Sequence, residues 1–410
     1  MRMTASRRPP AADADLYAPE LYSEGEPHSV WRHLRETAPV RRHRAPDGTP
    51  FWSVSTHREV SEVLKDHASY SSAHGTMLDS LGGDPAGGKA IHLTDPPDHT
   101  PLRRGTIATL STGAMRRRSP LVRERVTALV ETALEQGRID AAEWVAALPM
   151  LVVGDVLGLP EASWADATRW AQASLAPQDP AYLTSTPEQT LLEAHLNLLT
   201  LFTEVVAERR RRPGDDLVSA LLEVEIDGKP LDDEHVLANC YGFLIGATST
   251  TPHVAAHLIA VLAEHPEIWR RVRSDPSLAP GLLDEANRWA TPVNHLLRRT
   301  TAEVRLGGRK LPPGALVCAW LASANRDERV FADPFRFDPS RSPNPHLAFG
   351  SGVHRCVGDP AGRLGLALLV EALAERVGSL EQIGPARHLR SNFLNGITNL
   401  PVILHPPSTN

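Results

Sequence analysis

The amino-acid sequence predicts a mainly α-helical protein with a small β region. Apolar residues recur with a helical period over residues 101–136, 191–212 and 233–264, and the last of these stretches is apolar on most of its faces. After Thr300 the pattern changes to short segments such as EVRLGG and ALVCAWLA, which are typical of strands bounded by turns. These patterns favour a helical core that surrounds one long apolar helix, with a few short strands beside it.

Length and charge limit the possible functions. The chain has 410 residues, of which 43 are Lys or Arg and 49 are Asp or Glu, so its net charge is −6, and 41% of its residues are hydrophobic. This composition supports a large core and argues against a nucleic-acid partner held by bulk electrostatics. Three cysteines are too few for a disulfide framework, and neither a signal peptide nor an apolar stretch of about 18 residues is visible. We therefore expect a cytoplasmic protein without a membrane anchor.

Proline and glycine divide the chain into segments. We expect residues 1–20, which are rich in Pro, Ala and Arg, to form a disordered arm, and residues 21–410 to form one domain with α-rich and β-rich subregions. Around residues 50–70 a short strand pattern passes into a helix, and four glycines between positions 82 and 88 mark a loop. A proline-rich break at 176–190 separates two helices and is a candidate lid over an internal site.

The most informative segment is a glycine-rich loop around one cysteine, FGSGVHRCVG at residues 349–358. The glycines allow the backbone to turn so that several N–H groups point at the sulfur of Cys356. The following helix adds partial positive charge at its N-terminus, and Phe349 shields the sulfur. Such surroundings stabilise a thiolate and tune a metal bound to it, so the loop predicts a metal ligand. A buried structural cysteine in a turn is the alternative interpretation.

This loop resembles that of the cytochrome P450 family, the haem-thiolate monooxygenases, whose motif is F-G-x-G-x-H-x-C-x-G-x-x-x-A-R. The chain departs from the motif at Gly362, where the family has alanine, and the resemblance covers residues from about 20 to 405. It implies a triangular helical prism in which haem b, iron protoporphyrin IX, lies between the long central helix and the cysteine loop, with the cysteine sulfur as the iron ligand. The loop residues that it places at the haem are Phe349, Gly350, Cys356 and Gly358.

A second motif lies in the predicted helix LLDEANRW. Glu285 and Arg288 are spaced at i and i+3, so that both project from one face, and they occupy the family's E-x-x-R positions. Arg341, fifteen residues before the cysteine, resembles the third member of this set. The resemblance implies a buried carboxylate between two guanidiniums that braces the cysteine loop. Taken alone, an E-x-x-R pair is more simply a surface salt bridge.

Four basic residues match family positions that hold the haem propionates, namely His99, Arg103, Arg299 and His354. His99 and Arg103 are four residues apart and therefore lie on one face of a predicted helix. Guanidinium groups bind carboxylates bidentately, which makes this set chemically suitable. Arg298 adjoins Arg299, so the register of this arginine stays open by one residue.

The central helix carries GATSTTP at residues 246–252, which resembles the family's oxygen-activation stretch A-G-x-(D/E)-T-T. Thr250 falls on the family's threonine, whose hydroxyl orients water. Ser249 stands where the family usually has a carboxylate, so we expect a proton relay through Thr250, Ser249 and the carbonyl of Thr248. Pro252 frees that carbonyl because it has no N–H, and it predicts a kink in the helix. Small polar residues in a tolerant buried helix are the alternative interpretation.

The resemblance also places candidate residues around a substrate pocket. Loops at 70–92 and 393–397 and the proline-rich break contribute to it, together with the central helix and the segment before the propionate arginine. The individual candidates are Gly242, Ile245, Gly246, Asn294, His295, Leu296 and Phe393. They mix apolar and polar groups, which suits a mid-sized natural product. We therefore expect hydroxylation or epoxidation of a bacterial secondary metabolite.

The implied reaction is insertion of one oxygen atom of dioxygen into a small-molecule substrate, free or tethered to a carrier protein. Electrons are expected from a ferredoxin and its ferredoxin reductase. The basic residues expected to form the docking surface for the ferredoxin are Arg103, Arg104, Arg116, Arg117, Arg118 and Arg355. Because Ser249 replaces the usual acid, a haem-thiolate catalyst of oxidative coupling, rearrangement or peroxide-driven oxidation stays open as an alternative. A haem-binding protein without catalytic activity is the third interpretation.

Overall fold

Helices form most of the part of the chain that the computed structural model describes, residues 14–81 and 83–407. Before the proline-rich break they are α1 (Glu20–Ser23), α2 (Pro27–Thr37), α3 (His57–Lys65), α4 (His99–Leu110), α5 (Thr112–Gln136), α6 (Ala141–Val145), α7 (Leu148–Val153) and α8 (Trp164–Leu175). After it they are α9 (Pro187–Arg211), α10 (Leu217–Leu222), α11 (Asp233–Thr248), α12 (Thr251–Glu264), α13 (Pro266–Ser274), α14 (Ala279–Ala290), α15 (Leu321–Ala324) and α16 (Asp359–Arg376). About 52% of the residues are helical, which confirms the predicted fold class.

The strands are short and form small sheets. They are β1 (Val40–Arg44), β2 (Pro50–Val54), β3 (Tyr70–Ser71), β4 (Arg138–Asp140), β5 (Glu225–Ile226), β6 (Lys229–Pro230), β7 (His295–Thr300), β8 (Val304–Leu306), β9 (Arg309–Leu311), β10 (Leu316–Trp320), β11 (Ser379–Gln382), β12 (Arg387–His388), β13 (Ile397–Asn399) and β14 (Pro401–His405). The largest sheet has the order β1-β2-β10-β7-β3, with β2 and β10 parallel and the other pairs antiparallel. This sheet holds β7, which carries the arginine expected at the haem.

The apolar core lies where α11 and α12 pass between the other long helices. Leu244 and Ala255, one from each of these two helices, belong to one large cluster of buried side chains with Val126 of α5 and Leu369 of α16. Full burial of a side chain such as Leu stabilises the fold by about 1.5–3 kcal/mol, so this cluster holds α11 and α12 firmly. The five-stranded sheet packs through a separate apolar cluster that includes Val54 of β2, Val60 of α3 and Val317 of β10.

The single long helix predicted over 233–264 is two helices in the structure. Helix α11 ends at Thr248 and α12 begins at Thr251, with Pro252 in the first turn of α12. Pro252 has no N–H to donate to the carbonyl of Thr248, so the regular ladder of hydrogen bonds is interrupted there. The break therefore lies within residues 246–252, the stretch that resembles the family's oxygen-activation motif.

The proline-rich break lies between α8 and α9 and is attached to the C-terminal loop. The side-chain amide of Gln178 donates to the carbonyl of Arg390 (3.0 Å), and the backbone N–H of Arg390 donates to the buried carboxylate of Asp179 (2.8 Å). The hydroxyl of Thr186 caps α9 by accepting from the N–H of Gln189 (3.2 Å). Both ends of this break are thus fixed to neighbouring elements.

The N-terminal segment differs from the disordered arm expected at residues 1–20. Residues 1–13 lie outside the described part of the chain. Leu16, by contrast, is 1% exposed, and its carbonyl accepts a hydrogen bond from the hydroxyl of Tyr22 (2.7 Å). The ordered body therefore begins before residue 20, because an apolar residue in this segment finds a place in the core.

One described helix, α9, is long and apolar enough to cross a membrane by length and composition alone, which corrects the expectation that no such stretch exists. Core helices of globular proteins meet the same criterion. Ala194, Leu198 and Phe202 of this helix are buried. The apolar side chains on this buried face therefore pack α9 against the rest of the protein.

Candidate functional site

The cysteine loop is a tight turn that glycine makes possible. Gly350 and Gly352 adopt positive φ values of 67° and 73°, which favour glycine. A Cβ at Gly352 would lie 2.5 Å from the carbonyl oxygen of Leu64, so no larger residue fits there. The turn is closed by the N–H of Cys356, which donates to the carbonyl of Phe349 (2.9 Å).

The sulfur of Cys356 borders an internal space. Burial raises the pKa of its thiol, while hydrogen bonds from the backbone N–H groups of Gly358 and Asp359 and the charge of Arg103 lower it. The side chain is nevertheless exposed to a solvent-sized sphere, unlike the other two cysteines, which are buried. Because Cys356 is desolvated and yet keeps exposed surface, we infer that it borders an internal space. The N–H groups point at the sulfur as the glycine pattern predicts.

The break between α11 and α12 contains three successive hydroxyls that bond backwards along the helix. Thr248 donates to the carbonyl of Leu244 (2.8 Å), and Thr250 donates to the carbonyl of Gly246 (3.0 Å). Ser249 donates in the same way to the carbonyl of Ile245, at 2.6 Å. Bonds of this kind bend helices, and together with Pro252 they account for the break.

The three hydroxyls differ in their access to the space beside the helix. Thr248 and Ser249 are buried, at 0% and 2% exposure, whereas Thr250 is partly exposed. Gly246 is exposed, and a Cβ placed on it would have no atom within 4 Å. The structure therefore brings Thr250 and Gly246 to the same open side of the helix. It does not bring Ser249 there, which corrects the relay expected from the sequence.

The two histidines expected at the propionates lie against each other. The rings of His99 and His354 are 4.5 Å apart, and Nε2 of His354 is 3.1 Å from the hydroxyl of Ser72. Burial lowers the pKa of His99 to about 4, so this imidazole is neutral at physiological pH. Its buried Nε2 has no hydrogen-bond partner among the described residues, which makes it a polar atom in need of a ligand.

The structure selects Arg298 in place of Arg299. Side chains alternate between the two faces of β7, and Arg298 is 3% exposed whereas Arg299 is exposed. Burial lowers the pKa of Arg298 to about 10, and its charge acts on His354 and His92. In the described part of the chain, Arg298 forms no ion pair with a carboxylate, and its one side-chain hydrogen bond is to the carbonyl of Leu297 (2.8 Å). The expectation for Arg299 is therefore corrected by one residue.

Glu285 lies between two arginines, as the E-x-x-R spacing suggests. Its carboxylate receives two hydrogen bonds from Arg288, at 2.7 and 2.8 Å, and two from Nε of Arg341, at 3.1 and 3.2 Å. The side chains of Glu285 and Arg288 have 0% exposure and that of Arg341 has 9%. Burial raises the pKa of Glu285, but Arg288, the N–H of Asp338 and the charge of Arg341 together lower it by more, so the carboxylate is ionised. A surface salt bridge, the simpler alternative, is thereby excluded.

This ion-pair network connects to the cysteine loop through one asparagine. Arg288 donates to the carbonyl of Asn325 (2.9 Å), and the Asn325 side chain accepts from the N–H of Leu347 (2.7 Å). The carbonyl of Leu347 in turn accepts from the N–H of Gly350 (2.8 Å). Asn325 is fully buried and was not singled out from the sequence. Through these hydrogen bonds Asn325 links the ion-pair network to the turn that holds Cys356.

Two of the expected pocket residues are structural. His295 is 0% exposed; its Nε2 accepts from the N–H of Leu78 (3.0 Å), and its Nδ1 is 3.2 Å from the carbonyl of Asn392. The side chain of Asn294, also buried, donates to that same carbonyl (3.2 Å). Both side chains are buried and their polar atoms are already bonded to neighbouring segments of the chain, so they hold these segments together and are not free to contact a substrate, and both expectations are corrected.

The other pocket candidates retain some exposed surface. The candidates that keep exposed surface are Gly242, Ile245, Gly246, Leu296 and Phe393. His92, within the 70–92 loop, is a further residue of this kind: it is exposed, although burial lowers its pKa to about 4. A Cβ on Gly242 would lie 2.9 Å from Cε1 of His92, so the imidazole rests on the glycine. The sequence held no sign of this contact beyond a glycine on an otherwise apolar helix.

The described residues fit a haem. The sulfur of Cys356 faces an internal space, and Gly246 leaves open room on a helix. The unpartnered Nε2 of His99 and the unpaired guanidinium of Arg298 are suitable donors for carboxylates. By contrast, the surface depression of about 400 Å³ next to Arg35 lies among ion pairs and offers no such set of groups.

Comparisons with known proteins agree with this geometry. Residues 167–376 match the family described as Cytochrome P450. The chain is 35% identical over 396 residues to the cytochrome P450 NovI of Streptomyces niveus, which covers 95% of each protein. A Mycobacterium marinum cytochrome P450, CYP268A2 in complex with pseudoionone, has a TM-score of 0.90 at 29% identity, covering 97% of this chain and all of that one. The P450 OxyD, involved in the biosynthesis of vancomycin-type antibiotics, has a TM-score of 0.85 at 33% identity, with 96% and 100% covered.

Proposed function

The chain belongs to the cytochrome P450 family of monooxygenases, and we propose that it oxidises a mid-sized bacterial secondary metabolite by inserting one oxygen atom of dioxygen. The observation that carries this proposal is the accessible sulfur of Cys356, which sits deep in the protein in a loop that directs two N–H groups at it. A thiolate in that position would ligate the haem iron and would supply the electron donation that favours oxygen activation in this family.

Cytochromes P450 contain haem, and we propose haem b for this chain. Cys356 would ligate the iron, and the residues that would hold the propionates are His99, Arg103, Arg298 and His354. Bound haem supplies the oxidising chemistry, and the protein supplies orientation and electrostatics. The fully buried pair of Glu285 and Arg288 would keep the cysteine loop rigid through Asn325.

Thr250 is the side chain that we assign to water and proton handling. Thr250 is partly exposed at the helix break, and among the described residues its hydroxyl bonds only to the carbonyl of Gly246. Rotation about χ1 would release this hydroxyl to donate to a water or to a polar group of the substrate. Ser249 is buried with its proton committed to Ile245, so we assign it a role in shaping the helix.

The proposed substrate class follows from the lining of the pocket and from the relatives. The residues with exposed surface mix apolar groups with the imidazole of His92, which suits a natural product with oxygen or nitrogen functions. The relative OxyD takes part in antibiotic biosynthesis, and curated relatives include an erythromycin C-12 hydroxylase and a cyclomarin C epoxidase.

We propose a ferredoxin with its reductase as the electron donor and the cytoplasm as the compartment. Arg355 is exposed on the cysteine side, and Arg103 lies close enough for its charge to affect Cys356. An acidic ferredoxin is complementary to such a surface. A peroxide-driven or coupling reaction is the second candidate, because no carboxylate occupies the position of Ser249.

The central assignment is tested by optical spectroscopy. Reduced protein under carbon monoxide is expected to show the red-shifted Soret band of a thiolate-ligated haem, and Cys356→His is expected to abolish it. Cys240→Ala and Cys318→Ala are the matched controls and keep the band. An imidazole-type spectrum in the wild type would overturn the proposal. Product formed under ¹⁸O₂ then separates oxygen insertion, which retains the label, from coupling or peroxide-driven oxidation.

A further inference from the structure

One side of α9 leaves large apolar side chains exposed. Leu192, Leu196 and Leu199 are 57%, 56% and 41% exposed, so this helix holds three of the eight large apolar side chains that are exposed in the described part of the chain. Their spacing of four and three residues puts them on one face of α9, opposite the face on which Leu198 and Phe202 are buried. A contiguous exposed apolar surface of this kind marks a contact with another molecule.

The same face carries small side chains in the second half of the helix. Its next residues are Thr200, Thr203 and Ala207, all of which are exposed. The hydroxyl of Thr203 donates to the carbonyl of Leu199 (2.7 Å), so this polar group is already satisfied within the helix. We call the six residues the outer face of α9. Large side chains occupy the N-terminal half of the outer face, and small side chains occupy its C-terminal half.

The charges at the two ends of α9 are also of opposite sign. Glu188 lies in the first turn and is exposed. Arg211 lies in the last turn, and 70% of its side chain is exposed although it contacts Glu208 at 2.8 Å. Two copies of such a helix attract each other when they lie antiparallel, because the acidic end of one then meets the basic end of the other.

We propose that the outer face of α9 binds the same face of a second copy of this chain, with the two helices antiparallel about a two-fold axis between Leu199 and Thr200. A two-fold contact is self-complementary, so each position is paired with one fixed position of the other copy. The pairs, with one residue from each copy, are Leu192 with Ala207, Leu196 with Thr203, Leu199 with Thr200, and Glu188 with Arg211. Each leucine then lies over a small side chain, which allows the helices to pack closely.

A membrane surface suits the outer face less well than a second copy does. Three exposed acids flank the leucines, namely Glu188, Glu193 and Glu204. Acidic side chains are repelled by the anionic headgroups of bacterial and other lipid surfaces. A second copy, by contrast, covers the leucines and also brings a basic group to Glu188. Because each copy contributes one helix, the interface is small, and we expect a dissociation constant in the micromolar range.

Sedimentation equilibrium of the haem-loaded full chain tests this association. The wild type is expected to pass from monomer to dimer between about 1 and 100 µM. Leu196→Glu, which places a charge near the centre of the contact, is expected to stay monomeric over this range. Leu121→Glu is the matched control, because it places the same charge on a leucine of similar exposure, 46%, on α5. This control is expected to associate like the wild type.

A charge exchange tests the antiparallel register. Glu188→Arg and Arg211→Glu are each expected to weaken the association about tenfold, because two attractive pairs become two repulsive pairs. The double variant Glu188→Arg/Arg211→Glu restores opposite charges across the axis and is expected to regain the affinity of the wild type. All the substituted side chains are exposed, so each variant is expected to fold and to keep its haem.

Several outcomes would overturn the inference. They are a wild type that is monomeric at about 100 µM, a dimer that survives Leu196→Glu, and a double variant that associates no more tightly than the single variants. Vesicles containing phosphatidylglycerol serve as the probe for a membrane. Binding of monomeric wild type to these vesicles, lost in Leu196→Glu, would assign the outer face to a lipid surface and would overturn the proposed dimer.

Discussion

Arg288 donates two hydrogen bonds to the carboxylate of Glu285, from Nε to one oxygen (2.8 Å) and from Nη2 to the other (2.7 Å), and neither side chain is exposed. The Glu285 carboxylate also accepts hydrogen bonds from the N–H of Asp338 (2.9 Å) and from the side-chain amide of Asn344 (3.1 Å). Removing one member of a buried ion pair such as this one leaves the other charge without a partner, because water does not reach the site to replace the lost hydrogen bonds.

Glu285→Ala is expected to destabilise the protein by about 3–5 kcal/mol, because it leaves Arg288 buried without its carboxylate. Glu303→Ala is the control: its exposed pair with Lys310 contributes about 0–1 kcal/mol. The measurements are the melting temperature and the haem content of purified protein. A Glu285→Ala variant with normal values of both would show that the network does not support the cysteine loop.

Neighbouring arginines on β7 provide a matched pair for the cofactor site. Arg298→Gln is expected to accelerate loss of haem to a haem-accepting protein, because the buried, unpaired guanidinium is a donor for a propionate. Arg299→Gln, on the exposed face, is expected to leave the rate unchanged. The rate of haem transfer is followed by absorbance. The opposite ranking of the two variants would restore the assignment made from the sequence alone.

Thr250→Ala is expected to lower the ratio of product formed to NAD(P)H consumed, with loss of product of about 10²-fold, the usual effect of removing a general acid–base group. Ser249→Ala is expected to have a much smaller effect on this ratio, because the Ser249 hydroxyl is buried and bonded to Ile245. Hydrogen peroxide is measured separately as the competing product. Wild-type coupling in Thr250→Ala would favour the peroxide-driven or coupling alternative.

Buried histidines predict loss of stability in mild acid. Burial lowers the pKa of His295 and of His257 to about 3 and that of His253 to about 4, against about 6.5 in an unfolded chain. Their contribution is complete above pH 6.5 and is lost as the pH falls towards 3–4, because the unfolded state then binds more protons. Each of these desolvated histidines contributes a slope of up to about 1.4 kcal/mol per pH unit.

The pH dependence is measured by urea unfolding at pH 7.5 and pH 5.0, a range in which most carboxylates stay ionised. His257→Leu is expected to reduce the difference in the free energy of unfolding between the two pH values. The variant removes an imidazole whose buried Nε2 has no partner among the described residues. An unchanged difference would mean that His257 is already protonated in the folded protein.

Sequence reasoning succeeded where a single local pattern determines the geometry. The i, i+3 spacing of Glu285 and Arg288 puts them on one helix face whatever surrounds the helix, and the glycines around Cys356 require a turn. Both features are therefore readable without the rest of the fold. The third member, Arg341, came from the family resemblance, because nothing local connects it to Glu285.

Sequence reasoning was wrong where a neighbouring element decides which side chain is buried. Arg298 and Arg299 are chemically equal, and only the pairing of β7 in the sheet determines which one faces inward. His295 was taken for a pocket residue, but the N–H of Leu78 and the carbonyl of Asn392 occupy both of its nitrogens. Hydrogen bonds between segments so far apart along the chain leave no mark in the sequence around either residue.

Gly246 gives this protein a way to change its selectivity in small steps. A methyl group placed there meets no atom within 4 Å, whereas at Gly242 it would meet His92 at 2.9 Å and at Gly396 it would meet His253 at 2.7 Å. Replacing Gly246 by alanine therefore narrows the space beside the helix without displacing any protein atom, whereas larger residues would enter the room that the haem is proposed to use. In an evolving lineage a first step to alanine at this position meets no protein atom, while Gly242 and Gly396 are held by the side chains packed on them.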